Sequence, residues 1–220
     1  LANPFTSSAE IVNAIKTLKG MINFDTWGTQ TDWTLNQTQL DTTSNIGLPG
    51  TIILHAEDFD TADTVVANAF KTNTLLQSVT LPTTVTTLGT NSFEGCSSLT
   101  SINLSHVNSA GEACFKNCSS LTNLNLSVLS TIPNSMFMNC SNLTTVTATG
   151  LTSIGHNGFE NCSELQSINT SNVTNLGNGC FKNCILLDDI NLSSFTTYVY
   201  TPTSPISISH FEGCSSLSNI

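Results

Sequence analysis

Apolar residues recur along this chain with a fixed step. The phrase Phe-x-x-Cys-x-x-Leu begins at Phe93, Phe115, Phe137, Phe159 and Phe181, each 22 residues after the last. Another copy begins at Phe211 after a step of 30, and a weaker one at Phe70, where Asn73 stands in place of the cysteine. The copy from Phe115 continues through Cys118, Leu121, Leu124, Leu126, Leu129 and Ile132. Leu124 and Leu126 lie two apart, which predicts a strand with one face buried. The three-residue spacing from Phe115 to Cys118 to Leu121 predicts a short 3₁₀ or irregular helical turn. Each repeat therefore reads as one strand plus one compact return path. A single copy cannot bury its apolar face, so copies must stack.

Stacking predicts the core. Its spine is Phe93, Phe115, Phe137, Phe159, Phe181 and Phe211, flanked by Leu99, Leu121, Leu143, Leu165, Leu187 and Leu217. Ile102, Leu124, Val146, Ile168 and Ile190 point inward from the strands. The outward residues are Ser78 and Thr80, Ser101 and Asn103, Asn123 and Asn125, Thr145 and Thr147, Ser167 and Asn169, and Asp189 and Asn191. They form a stripe of small hydrogen-bonding groups. From Ser101 to Asn191 the stripe is a candidate binding surface, because solenoids commonly bind with extended faces. It lacks the Trp, Tyr and Arg of typical hot spots, and a merely soluble sheet face is the rival reading.

The segment from Leu76-Gln-Ser-Val-Thr-Leu-Pro-Thr-Thr-Val-Thr-Thr-Leu-Gly-Thr-Asn-Ser-Phe-Glu-Gly-Cys-Ser-Ser-Leu onward resembles the BspA-type (Treponema pallidum-type) leucine-rich repeat. The likeness covers about residues 64 to 220. It departs from the family in its scarcity of lysine and in having a proline after the strand only at Pro82. The resemblance implies a right-handed, β-rich leucine-rich-repeat superhelix. It also implies a surface or secreted protein, since several known members are adhesins for host matrix proteins or other cells.

Residues 1–62 lack the repeat and are expected to be an N-terminal cap or flanking region, with residues 63–220 as the repeat domain, continuing beyond the fragment. Ser7-Ser-Ala-Glu10 reads as a capping box, followed by Ile11, Ile15 and Leu18 at helical spacing and by Gly20 as a stop. Thr51-Ile-Ile-Leu-His reads as a strand. Trp27 and Trp33 are expected to fill the cap. The long step before Phe211 holds eight extra residues and both tyrosines, Tyr198 and Tyr200. Insertions in solenoids often map to the binding side, so the two tyrosines are candidate binding residues; a tolerated bulge is the alternative.

Composition narrows the function. Fifteen acidic residues face five lysines and no arginine, a net charge of −10. Such a chain cannot supply the cations that nucleic acid or an anionic membrane surface requires. No apolar run approaches the ~18 residues of a membrane span, so direct membrane insertion is not expected. The start has neither a basic nor a long apolar segment, and the end falls within a repeat, as expected of a processed or excised piece.

Candidate chemistry is sparse. Cys96, Cys118, Cys140, Cys162, Cys184 and Cys214 share the core register and read as buried thiols; the rung spacing would also permit disulfides, which an evenly repeated ladder gives no preferred pairing. Cys180, Cys184, His210 and Cys214 are the one zinc-like set of ligand types, but repeat spacing alone does not make them converge, so no metal is expected. Glu57-Asp-Phe-Asp60-Thr-Ala-Asp63 lacks the glycine and closing glutamate of a calcium loop and reads as a solvated acidic turn. His55, His106, His156 and His210 fall at unrelated repeat positions, and no catalytic set or cofactor site emerges. Sequons occur at Asn36, Asn103, Asn117, Asn125, Asn139, Asn142, Asn161, Asn169, Asn172 and Asn191. The expected role is therefore non-enzymatic: an extracellular or cell-surface module binding a protein or glycan on a host or neighbouring cell. The alternative is a structural spacer holding another domain away from the surface.

Overall fold

A computed structural model describes residues 63–195 and 209–218, together with the backbone of strands at 32–33 and 50–53. The 22-residue step becomes a stack of parallel coils. Each coil contributes two short strands rather than the one expected. The first row holds β1 (Asp32–Trp33), β2 (Gly50–Ile53), β4 (Leu76–Thr80), β6 (Ser101–Ile102), β8 (Asn123–Asn125), β10 (Thr145–Thr147) and β12 (Ser167–Ile168). The second holds β3 (Thr64–Val65), β5 (Thr87–Leu88), β7 (Ser109–Ala110), β9 (Thr131–Ile132), β11 (Ser153–Ile154) and β13 (Asn175–Leu176). All pairings are parallel, and those among the repeats keep the repeat register, as in Thr145 with Asn123 and Ser167, and Ser153 with Thr131 and Asn175; β2 pairs with β4 through a register shift at Gly50/Thr51. The strand expected at Thr51 is β2, and it carries the first row into the segment before the repeats. The helix expected after Ser7 lies outside the described residues, as does Trp27.

Burial follows the expected alternation. Ile102, Leu124, Val146, Ile168 and Ile190 are buried, and their outward neighbours are exposed. Phe70, Phe93, Phe115, Phe137, Phe159 and Phe181 are wholly buried and stacked ring on ring, with Phe211 next in file. Phe211 and Leu217, expected in the core, are only half-buried.

The return path is the irregular form of the expected turn: i→i+3 bonds recur at the Phe-Cys-Leu spacing, as Cys118 to Phe115 and Leu121 to Cys118, but only Ser209–Phe211 is a regular 3₁₀ turn. Elsewhere it is a run of tight turns pinned by two left-handed residues, one on either side of each Phe. Two positions before the Phe sit Asn68, Asn91, Ala113, Ser135, Asn157 and Gly179; two after sit Thr72, Gly95, Asn117, Asn139, Asn161, Asn183 and Gly213, all at positive φ. Gly and Asn are the residues that tolerate this conformation best. Alternate N–H groups of the turn then bond to the next coil, as Asn91 to Glu112, Phe93 to Cys114 and Gly95 to Lys116.

Side-chain ladders lock the same edge. Asn139 donates to Asn117, Asn161 to Asn139 and Asn183 to Asn161, at 2.7–2.8 Å. Three sequon asparagines thus serve the turn. One position earlier, Lys71, Glu94, Lys116, Met138, Glu160, Lys182 and Glu212 follow one another, largely alternating in sign. Lys71 meets Glu94 at 2.8 Å and Lys182 meets Glu212 at 3.0 Å. Such partly exposed pairs add little stability, but they disfavour a shifted register.

Candidate binding surface

The sheet stripe is built as its spacing predicted. Ser101, Asn103, Asn123, Asn125, Thr145, Thr147, Ser167, Asn169, Asp189 and Asn191 are all exposed. Asn123 stands beside Thr145, Thr145 beside Ser167, and Ser167 beside Asp189 in register. Thr145 and Thr144 both donate through their hydroxyls to the Asn123 side-chain oxygen.

Four stripe asparagines also have a local task. The side-chain oxygen of Asn103, Asn125, Asn169 and Asn191 accepts the N–H of Ser105, Ser127, Ser171 and Ser193, at 2.9–3.1 Å. These Asx-turns bend the chain out of the strand, a role for which Asn is well suited. The sequence showed the residues but not this bond. Its signal was the recurrent Asn-x-Ser at the strand exit. Tyr198 and Tyr200 lie outside the described residues.

The cysteines are inward, as their register implied. All eight are free thiols. Each ladder thiol donates to the carbonyl of the preceding coil's Phe: Cys96 to Phe70, Cys118 to Phe93, Cys140 to Phe115, Cys162 to Phe137, Cys184 to Phe159 and Cys214 to Phe181, at 2.9–3.1 Å. A small apolar side chain with a weak donor suits that position. Burial pushes the thiols of Cys140 and Cys180 up to about 12 from an ordinary 9.0. Burial also raises Cys114, Cys118, Cys162, Cys184 and half-buried Cys214.

The thiolate is the reactive form, so these thiols are held inert at neutral pH. At pH 8 a disulfide reagent should label only Cys214 promptly, and all eight cysteines after denaturation; prompt native labelling of Cys118 or Cys140 would contradict the ladder. The linkage has a sign. A thiol whose folded pKa is raised favours folding below the unfolded value of 9.0, and that contribution is lost as pH climbs toward about 12.

The zinc-like set does not converge. Cys180 lies 4.0 Å from the Nδ1 of His210, which itself bonds the Gly177 carbonyl at 2.9 Å, while Cys184 and Cys214 turn to Phe carbonyls. No group of three metal-ligating side chains occurs among the described residues. Asp63 accepts hydrogen bonds from Thr64 and Thr86, which hold its carboxyl below the usual range; the rest of that acidic run lies outside the described residues. Of the four histidines, His55 lies outside the described residues. His156 accepts the Asn178 N–H at 2.9 Å, and both buried ring nitrogens of His106 lack a partner among the described residues.

Stacked parallel coils with a Phe spine and a repeated Leu frame define a leucine-rich-repeat solenoid. The sequence pattern of the family described as "BspA type Leucine rich repeat region" matches residues 63–188 in six copies, and the chain belongs to that family. A leucine rich cell surface protein from Faecalibacterium prausnitzii A2-165 shares the fold at 24% identity and a TM-score of 0.57, over 75% of this chain and 44% of that one. The chain thus spans under half the length of that protein. The Treponema pallidum leucine rich repeat protein is 21% identical over 72% of this chain and 83% of its own, with a TM-score of 0.47. A leucine-rich repeat protein from Bacteroides ovatus ATCC 8483 is 18% identical over 77% and 53%, with a TM-score of 0.46. No curated protein matches.

Proposed function

We propose that this chain is a non-enzymatic module of a cell-surface or secreted protein that binds a protein or glycan partner through its solenoid faces. The observation that carries the reading is the exposed stripe from Ser101 to Asn191. It is an ordered array of uncharged hydrogen-bonding groups with one carboxylate, at Asp189. Polar groups held in place by their strands engage a partner with less loss of freedom than groups on a loose chain. The description of the Faecalibacterium relative as a cell surface protein supports the location. The two tyrosines of the insert, Tyr198 and Tyr200, are proposed as a second contact.

The test uses a glycan array and immobilised matrix proteins as probes. Thr145→Lys with Thr147→Lys should abolish capture while leaving the circular dichroism spectrum unchanged. Deleting 197–207 should weaken capture without unfolding the coils. A wild-type chain that captures nothing on either panel, or variants that bind as well as it does, would favour the spacer.

A further inference from the structure

One junction in the stack differs from the rest. Second-row strands are tied to the coil before them by a recurrent set of N–H groups. Asn108 and Ser109 bond the Thr86 carbonyl, Thr152 and Ser153 bond that of Ser130, and Thr174 and Asn175 bond that of Thr152. Gly89, Gly111, Gly155 and Gly177 complete each set by donating to Val65, Leu88, Ile132 and Ile154, all at 2.7 Å. The corresponding donors between β7 and β9 would be Ser130, Thr131 and residue 133. None of them makes the bond, and residue 133 is a proline with no N–H. The first row is interrupted at the same place. Thr100, Thr144 and Gln166 bond to the preceding coil, Thr122 does not, and β6 does not pair with β8.

Bulk explains the gap. A Cβ added at the four glycines would lie 2.3–2.7 Å from backbone atoms of the preceding coil. That approach is closed to any side chain, and Pro133 brings a whole ring to it. The coils must therefore separate here. The spacing of Phe115 to Phe137, 5.7 Å between ring centroids, is the widest in the spine. The turn edge nevertheless stays shut: Ala113, Phe115 and Asn117 donate to Asn134, Met136 and Met138 at 2.8–3.0 Å, and Asn134 reaches the Glu112 carboxylate.

We propose that this junction is a hinge. Coils before it and coils after it are two stiff stacks, the turn edge is the axis, and both sheet sides open and close. The binding stripe is then divided between Asn103 and Asn125, and the two parts can change their mutual angle to fit a curved partner. Coupling in a solenoid passes only between neighbouring coils, so one weak junction suffices.

Amide-resolved hydrogen exchange and ¹⁵N relaxation dispersion test this. In the wild-type chain the amides of Thr122, Ser130 and Thr131 should exchange more than about tenfold faster than those of Thr144, Thr152 and Ser153, as expected for local opening. The junction amides should also show millisecond exchange broadening. Pro133→Gly should bring their protection level with the other coils and quench the broadening. Equal protection in the wild-type chain, or flat dispersion there, would overturn the hinge, and neither needs the variant to fold. A glycine variant that folds yet leaves both readouts unchanged would remove Pro133 as the cause.

Discussion

Replacing Phe137 by alanine is expected to destabilise the solenoid by about 3–5 kcal/mol, the range for removing a wholly buried aromatic and leaving a cavity. Phe137 is fully buried and stacks on Phe115 at 5.7 Å and on Phe159 at 5.3 Å. Each ring pair adds roughly 0.5–1.5 kcal/mol beyond burial, so alanine forfeits two such pairs at once. The coils cannot collapse into the void, because the Asn and Cys ladders on either side fix their spacing. Phe211→Ala should cost less, since that ring is half-buried. Denaturant unfolding checks both. A loss under about 1 kcal/mol at Phe137, small even for a lesser core truncation, would mean that the spine is not the core.

The second large effect is expected at Gly177. An added methyl would sit 2.3 Å from the His156 nitrogen and 2.4 Å from the Gly155 carbonyl carbon, both backbone atoms that cannot turn aside. The coil must shift, and the 2.7 Å bond from Gly177 to Ile154 goes with it. Overpacking commonly costs 1–3 kcal/mol, so Gly177→Ala should cost about 3 kcal/mol with the bond included. Pro133→Ala is the control: that junction already holds a side chain, so the change should be near neutral. Unfolding midpoints of the two variants compare them directly. A tolerated alanine at residue 177 would show that the coils are not held at this separation.

The sequence made the coil legible because its signals were long-range and repeated. Six copies of Phe-x-x-Cys-x-x-Leu predicted which side chains are buried, and one alternating pair per copy, such as Leu124 and Leu126, placed the first row of strands. The second row is not legible in the sequence for a physical reason. Strands such as Thr131–Ile132 bury one side chain and, unlike Leu124 with Leu126, have no second buried residue two positions on, so they carry no alternation to read. The spacing of Phe115, Cys118 and Leu121 shows the i→i+3 bonds of the turn but not its left-handed residues, Ala113 and Asn117, which keep it from being a regular helix.

Close approach was likewise hidden. Gly89, Gly111, Gly155 and Gly177 recur in step, but only the distance between coils shows why, and why Pro133 among them matters. The candidate stripe was fully legible as exposed positions from period two alone. The Asx-turns at Asn103, Asn125, Asn169 and Asn191 were not, because they depend on backbone geometry at the strand exit.

The central claim is that the phenylalanines lie in single file along the solenoid. Selective labelling of Phe ring protons and nuclear Overhauser spectroscopy measure it directly. The structure predicts an unbroken series of ring-to-ring contacts from Phe70 through Phe93, Phe115, Phe137, Phe159 and Phe181 to Phe211, each only to its neighbours. Rings of Phe115, Phe137 and Phe159 that show no mutual contact, or that exchange magnetisation with water, would contradict it.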